Sequence, residues 1–342
     1  MKKYKIAYIG LKGLPAISGA DRVVENIIEG LDRNRFNVTF YGIKGYANKH
    51  YNSKGYRQIV FPRIPIKNFD MFLYFLLSAL HALTERYDII HLHNIDSAFT
   101  LLLLNLKYSN RLIATSHGNP QDRDKWGKFA KKYFGIMTKI FIKKSHIITC
   151  VAIPYCDKYK KITKKEIIYI PNGVNINEKI DKEEVYKRLR QYNVGEGFLL
   201  FASGRIIPTK GCDIFLEALE LMNYKDAVVI AGDISQTKKY EEKIKRLIMK
   251  TKTTYIGFIN SKPELLGLIS LAKYFVFPST VEAMSMMLLE VASVKTPIIC
   301  SDIPENTIVF NNDEVLFFKS GDVQNLAEKL KWAISNPDEM KK

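Results

Sequence analysis

The sequence predicts an α/β protein of two domains, each a doubly wound parallel sheet. Two observations predict the class. Short apolar runs alternate with longer stretches of helical period along the chain. Several of those runs stop at a glycine, as at Gly10, Gly204 and Gly232, where a strand of an open sheet hands over to a loop or helix. A third observation sets the domain count. The alternation lapses near residue 165 and then restarts, in a chain of 342 residues. The expected domains are therefore 1–165 and 166–342.

In the first half, Lys5 to Gly10 reads as a strand, followed by a glycine-rich loop and a helix from Ala20 to Leu31. Val38 to Tyr41, Asp88 to His91, Leu112 to Ser116 and Ser145 to Cys150 read as further strands, with helical stretches between them. In the second half, Phe198 to Ser203 and Asp226 to Gly232 are apolar runs separated by a helical stretch from Cys212 to Met222. Ala272 to Phe277 reads as a buried strand ended by Pro278, and Met284 to Val294 as a helix of period 3.6. No internal repeat or low-complexity tract is present.

Charge is unevenly divided. Residues 1–165 carry 29 Lys and Arg against 11 Asp and Glu, a net of +18, and residues 166–342 carry 23 against 24. A basic first domain favours an anionic partner: a membrane surface, a nucleic acid or an acidic substrate. Cys150, Cys156, Cys212 and Cys300 form no Cys-x2-Cys pair and are expected to be reduced core thiols of a cytosolic protein. The charged start runs straight into a strand, unlike a signal peptide. The apolar stretch from Phe69 to Leu83 holds Asp70, Ser78 and His81 and is short for a membrane span.

The most informative segment is Phe277-Pro278-Ser279-Thr280-Val281-Glu282-Ala283-Met284-Ser285-Met286-Met287-Leu288-Leu289-Glu290. Two glutamates stand eight positions apart, and the second sits in an apolar stretch where a bare carboxylate is costly. The turn from strand to helix offers backbone N–H groups to a phosphate or a sugar oxygen. The plain alternative is a solvated Glu282 and a Glu290 paired to a lysine. Upstream, Gly204-Arg205-Ile206-Ile207-Pro208-Thr209-Lys210-Gly211 follows an apolar run, and Tyr255-Ile256-Gly257-Phe258-Ile259 has the form of a short strand with a Gly-Phe turn.

Together these strings resemble the retaining glycosyltransferases of family 4, which have two Rossmann-like domains facing across a cleft. The resemblance covers nearly the whole chain and is most specific over 200–305. It implies that Glu282 contacts the donor sugar and that Glu290 accepts hydrogen bonds from the ribose diol. A carboxylate can take both hydroxyls of such a diol. It also implies that Arg205 and Lys210, on the turn with Gly204, meet the donor diphosphate. The amides of Ala283, Met284, Ser285 and Met286 join them there, while Gly257 and Phe258 lie near the nucleobase. Fixed cations and dipoles would meet the charge of the leaving diphosphate without a metal or other cofactor.

Ile167-Ile168-Tyr169-Ile170-Pro171-Asn172-Gly173-Val174 resembles the family's hinge, which makes Asn172 a candidate cleft residue. The chain then ends before the last helix that family members usually carry back onto the first domain, so that helix is expected to be lacking. In the first domain, Gly10 to Ala20 resembles the Gly-x-x-Gly-x-Pro-x-x-x-Gly-Gly loop of polysaccharide-building members, with Ala20 in place of the second paired glycine. Gly13, Ser18 and Gly19 are its candidates for a phosphate or acceptor contact. His117 follows the strand at Leu112–Ser116 and matches the family histidine near the transferred sugar, whereas His91 and His93 carry no assigned role. Asp122-Arg123-Asp124 mimics a metal motif of another fold and is read as a decoy.

Lys125, Lys128, Lys132, Lys139 and Lys143 fall on one side of a helical stretch, and Trp126, Phe129, Tyr133, Ile136, Met137 and Ile140 on another. This pattern suits an anionic bilayer surface, and equally a domain helix with its apolar face on the sheet. The expectation is a metal-independent retaining transferase taking a nucleotide-sugar, UDP-sugar favoured, and a lipid-linked or cell-surface glycan acceptor. It would be cytoplasmic and peripheral on the inner face of the membrane. A UDP-sugar 2-epimerase-like isomerase and a nucleic-acid-binding protein are the rival readings, although no recognition motif supports the second.

Overall fold

The computed structural model describes residues 3–16, 18–48, 55–64, 69–120 and 127–341. It divides into two compact units, Met1–Gly173 and Val174–Lys342.

The first unit runs β1 (Tyr4–Ile9), α1 (Gly19–Gly30), β2 (Phe36–Ile43), β3 (Arg57–Phe61), α2 (Asp70–Thr84), β4 (Ile89–His93), α3 (Thr100–Tyr108), β5 (Leu112–Ser116), α4 (Lys128–Lys144), β6 (Ile147–Cys150), α5 (Ile153–Lys160) and β7 (Ile167–Tyr169). All seven strands are parallel, in the order β3-β2-β1-β4-β5-β6-β7. The second unit runs α6 (Lys182–Arg190), β8 (Leu199–Arg205), α7 (Cys212–Met222), β9 (Val228–Asp233), α8 (Lys238–Thr251), β10 (Thr254–Tyr255), α9 (Lys262–Leu271), β11 (Tyr274–Phe277), α10 (Met286–Ser293), β12 (Ile298–Ser301), α11 (Pro304–Thr307), β13 (Leu316–Phe318) and α12 (Val323–Ser335). Its six parallel strands lie in the order β10-β9-β8-β11-β12-β13.

Both sheets bury their central strands on both faces, which is why these strands read as unbroken apolar runs. In the second unit one core layer holds Phe201, Phe215, Leu216, Ile230 and Val276. The other holds Leu200, Val229, Leu266, Phe275 and Val291. Burying side chains of this size contributes about 1.5–3 kcal/mol each. The four cysteines are free and buried.

The division falls eight residues later than the sequence suggests. The run Ile167–Tyr169 is not the opening of the second unit. It pairs with β6 as the edge strand of the first sheet, with Ile148 opposite Ile167 and Cys150 opposite Tyr169. The short edge strand β3 escaped the sequence reading because an edge strand needs little apolar character.

Each sheet reverses its winding once. Successive strands step one way from β1 to β2 and the other way to β4. The second sheet does the same around β8, between β9 and β11. Ligands of open α/β sheets bind beyond the carboxyl ends of strands at such a switch point.

Candidate active site

In the second unit the loops after β8 and β11 meet at the switch point. Thr280 N–H donates to the carbonyl of Thr209 at 2.9 Å. Gly211 has φ +68° and lies so close to Pro278 that an added Cβ would sit 2.1 Å from the Pro278 carbonyl oxygen. Only glycine allows both the backbone angle and the approach. The stitching brings Lys210 to Glu282: Nζ of Lys210 donates to Oε1 of Glu282. Ser279 Oγ donates to the same oxygen at 2.5 Å. The ammonium also lies 5.8 Å from the centre of the Phe277 ring. The side chains are one quarter exposed for Lys210 and one ninth for Glu282. The cation expected at a diphosphate is therefore shared with the carboxylate expected at a sugar.

Arg205 ends β8, where a bulge between Ser203 and Arg205 shifts the register. It is exposed and faces Asp233 at the end of β9. Asp233 is pulled below the usual carboxylate range, chiefly by its hydrogen bond from Ser235 Oγ, with the Arg205 charge a smaller contributor. Gly204 is exposed beside it. Gly257 follows β10 and accepts a bond from Gly232 N–H at 2.9 Å, which sets Phe258, 38% exposed, near the same edge. Gly204 and Arg205, which end β8, and Lys210, Gly257, Phe258 and Glu282, which follow strands, therefore lie at one end of one sheet.

Ala283 and Met284 lead into α10. Ser285 caps it by accepting from Leu288 N–H at 3.4 Å, and Met286 is its first residue. The helix thus starts two residues later than expected, because Ser285 takes the N-cap role that serines favour. Glu290 lies in the second turn and is 1% exposed. Ser279 escaped the sequence reading, although its place three residues before Glu282 was the available signal.

In the first unit the loop after β1 is held from α1. The buried Asp21 accepts from Lys12 N–H at 2.9 Å and from Ser18 Oγ at 2.7 Å. Burial raises its carboxyl above the usual range against these bonds. The spacing Ser18-x-x-Asp21, close to a capping-box pattern, was its signal in the sequence. Gly13 packs against the backbone of Ala47, while a Cβ on Gly19 would meet nothing. Asn172 directly precedes Gly173, whose carbonyl accepts from Asn26 on α1 at 3.2 Å. Asp122, Arg123, Asp124, Lys125 and Trp126 lie outside the described residues.

His117 lies just past β5 and His93 ends β4, the neighbouring strand. His93 Nδ1 is 2.8 Å from His117 Nε2. His91 Nε2 is 2.6 Å from Thr115 Oγ1, which is 2.6 Å from Thr149 Oγ1. Burial lowers the pKa of His91 to about 3 and of His117 to about 4, and puts His93 well below its usual value. All three are therefore neutral at physiological pH. The sequence placed His91 and His93 near an edge but could not pair one with His117, because the contact crosses between strands.

Three helices on one face of the first unit each expose large apolar side chains. The β3-to-β4, β4-to-β5 and β5-to-β6 connections step the same way, and right-handed crossovers put α2, α3 and α4 on one face. Leu80 on α2 is 45% exposed, Leu102 and Leu106 on α3 are 46% and 80%, and Phe129 on α4 is 92%. Tyr133 and Ile136 follow Phe129 at helical spacing, beside the exposed Lys128, Lys132, Lys139 and Lys143. Met137 is not part of this stripe. It is buried with Phe134, Phe141 and Ile142, so α4 carries one apolar face inward and a second outward. Among the described residues no helix is long and apolar enough to cross a membrane.

The family model for Glycosyltransferase Family 4 matches residues 17–178, and that for Glycosyl transferases group 1 matches residues 187–342. An uncharacterised glycosyltransferase of Bacillus subtilis, YqgM, is 24% identical over 202 residues, 58% of this chain and 54% of that relative. An Escherichia coli UDP-Gal:alpha-D-GlcNAc-diphosphoundecaprenol alpha-1,3-galactosyltransferase is 24% identical over 328 residues, covering 91% of this chain and 82% of its own length. Among solved structures, Anabaena Alr3699/HepE in complex with UDP-glucose aligns with a TM-score of 0.79 at 15% identity, over 98% of this chain and 91% of that one.

Proposed function

The chain belongs to the glycosyltransferases, with family 4 in its first half and group 1 in its second, and from that premise we propose a retaining, metal-independent transfer from a nucleotide-sugar, UDP-sugar favoured, to a hydroxyl of a lipid-linked or cell-surface glycan. The observation that carries the reading is the convergence of Lys210, Ser279 and Glu282 at the switch point of the second sheet, where Arg205 ends the central strand β8. The bond from the anomeric carbon to the diphosphate breaks and the acceptor oxygen takes its place on the same face. The acceptor proton leaves with the diphosphate. Arg205, Lys210 and the turn amides of Ala283–Met286 meet the charge that develops, in place of a divalent ion. Glu290 holds the ribose. Glu282 and His117 orient the sugar, with Glu282 freed from Lys210 as the diphosphate takes over that cation.

The relatives include an enzyme named for a diphosphoundecaprenol acceptor, and the exposed apolar side chains of α2–α4 beside the lysines of α4 suit the same class. On this reading the protein works at an anionic bilayer surface, lying on it through that face. A panel of nucleotide-sugars offered with a polyprenyl-diphosphate sugar tests the function. A glycosylated lipid with the donor's anomeric configuration is expected, and it forms in EDTA. An inverted product, or turnover restored only by Mg²⁺ or Mn²⁺, contradicts the retaining or metal-free part. A free epimerised sugar nucleotide returns the isomerase.

A further inference from the structure

His117 has two ring nitrogens, and His93 already holds one of them. The bond joins Nδ1 of His93 to Nε2 of His117 at 2.8 Å, with the rings stacked 5.1 Å apart at 24°. His91 covers His93 at 4.2 Å between centroids and Tyr8 at 5.7 Å. His93 is fully buried, and its Nε2 has no hydrogen-bond partner among the described residues. A neutral imidazole carries one N–H and one lone pair. Exactly one proton therefore lies between the two rings, and there are two arrangements.

If His117 donates, His93 must carry its own proton on Nε2, leaving a buried N–H without an acceptor. If His93 donates, its Nε2 is a bare lone pair, and His117 carries its proton on Nδ1. An orphaned buried N–H is among the rarest defects in folded proteins. We propose that His93 is a positioning residue: it donates Nδ1–H to Nε2 of His117 and so fixes His117 as a hydrogen-bond donor at Nδ1.

The consequence is chemical. A ligand reaching His117 meets an N–H, so it must present an oxygen lone pair, as a sugar hydroxyl does. Both rings are kept neutral by burial, which suits a fixed donor and not a proton acceptor. The ligand side rests on the proposed contact between His117 and the transferred sugar. The tautomer does not.

The test is made on the ligand-free protein, so it stands apart from the question of transfer. The six histidines are labelled with ¹⁵N, and long-range proton–nitrogen spectra are recorded at pH 7. The expected signature for His117 is a protonated Nδ1 and a bare Nε2. His93→Asn, whose amide N–H stands near the place of Nδ1, keeps that signature. His93→Leu shifts His117 towards a mixture of tautomers. A wild-type His117 protonated on Nε2 overturns the proposal, as does a signature unchanged in His93→Leu. If His93→Leu does not fold, wild type and His93→Asn decide: loss of the signature in His93→Asn overturns it.

Discussion

Lys210 and Glu282 stand 72 positions apart and meet as an ion pair where the loops after β8 and β11 are stitched together. Each side chain is only partly exposed, so removing one leaves the other partly desolvated without its partner. Lys210→Met and Glu282→Gln should each lower turnover at least tenfold. The double variant should be more stable than the sum of the single losses predicts, by about 1 kcal/mol. A double-mutant cycle on urea midpoints and on kcat/KM measures both. Additive losses would mean that the pair carries no coupling.

Two glycines separate packing from ligand approach. Gly211→Ala forces a methyl against the Pro278 carbonyl at a positive φ and should cost about 1–3 kcal/mol. Gly19→Ala meets nothing in the protein, so its stability should hold or rise slightly. Its turnover should still fall, because the loop after β1 is the proposed approach for a phosphate or acceptor. Thermal melts and steady-state rates separate the two. Full activity in Gly19→Ala removes that loop from the site.

The neutral histidines fix a pH dependence. The unfolded chain protonates histidine near pH 6.5. Folded His91 and His117 stay neutral until about 3 and about 4. Between these limits the unfolded state binds more protons, so stability falls as pH drops, by up to about 1.4 kcal/mol per pH unit for each histidine. Above pH 6.5 they add no slope. Urea midpoints at pH 7.5 and 5.5 should show the loss, and His91→Gln should lessen it. Equal midpoints for wild type at the two pH values would contradict the burial.

The outer face of α4 should bind anionic vesicles. Each lysine near such a surface contributes about 1 kcal/mol, screened by salt. Neutralising Lys125, Lys128, Lys132, Lys139 and Lys143 together should release the protein, and Phe129→Glu with Ile136→Glu should weaken binding even at low salt. Co-sedimentation with phosphatidylserine vesicles decides. Unchanged binding in both variants would leave α4 a solvated helix.

The sheets were legible because their strands are buried on both faces: Leu112–Ser116 stands where the apolar pattern puts it, and the helix Cys212–Met222 stands where the helical period puts it. Arg205, Lys210 and Glu282 were legible through a glycine-flanked turn and a glutamate spacing. Their mutual contact was not, since it depends on β8 and β11 being neighbours across 72 positions. The outward stripe on α4 was half legible: its period showed, but Met137 faces inward because the wrap of α4 against α3 decides the buried side. The union of His93 with His117 had no local signal at all.

The most direct test of a donor site in the second unit is a titration of UDP, ADP and GDP into the protein by calorimetry. The account predicts saturable binding of at least one, with UDP favoured. It predicts that Glu290→Gln, which keeps the buried shape, weakens that binding by about ten- to a hundredfold, as loss of a charge-assisted bond worth about 1.5–3 kcal/mol requires. Circular dichroism should show the fold unchanged. Binding of none of the three, or equal affinity in wild type and Glu290→Gln, would contradict it.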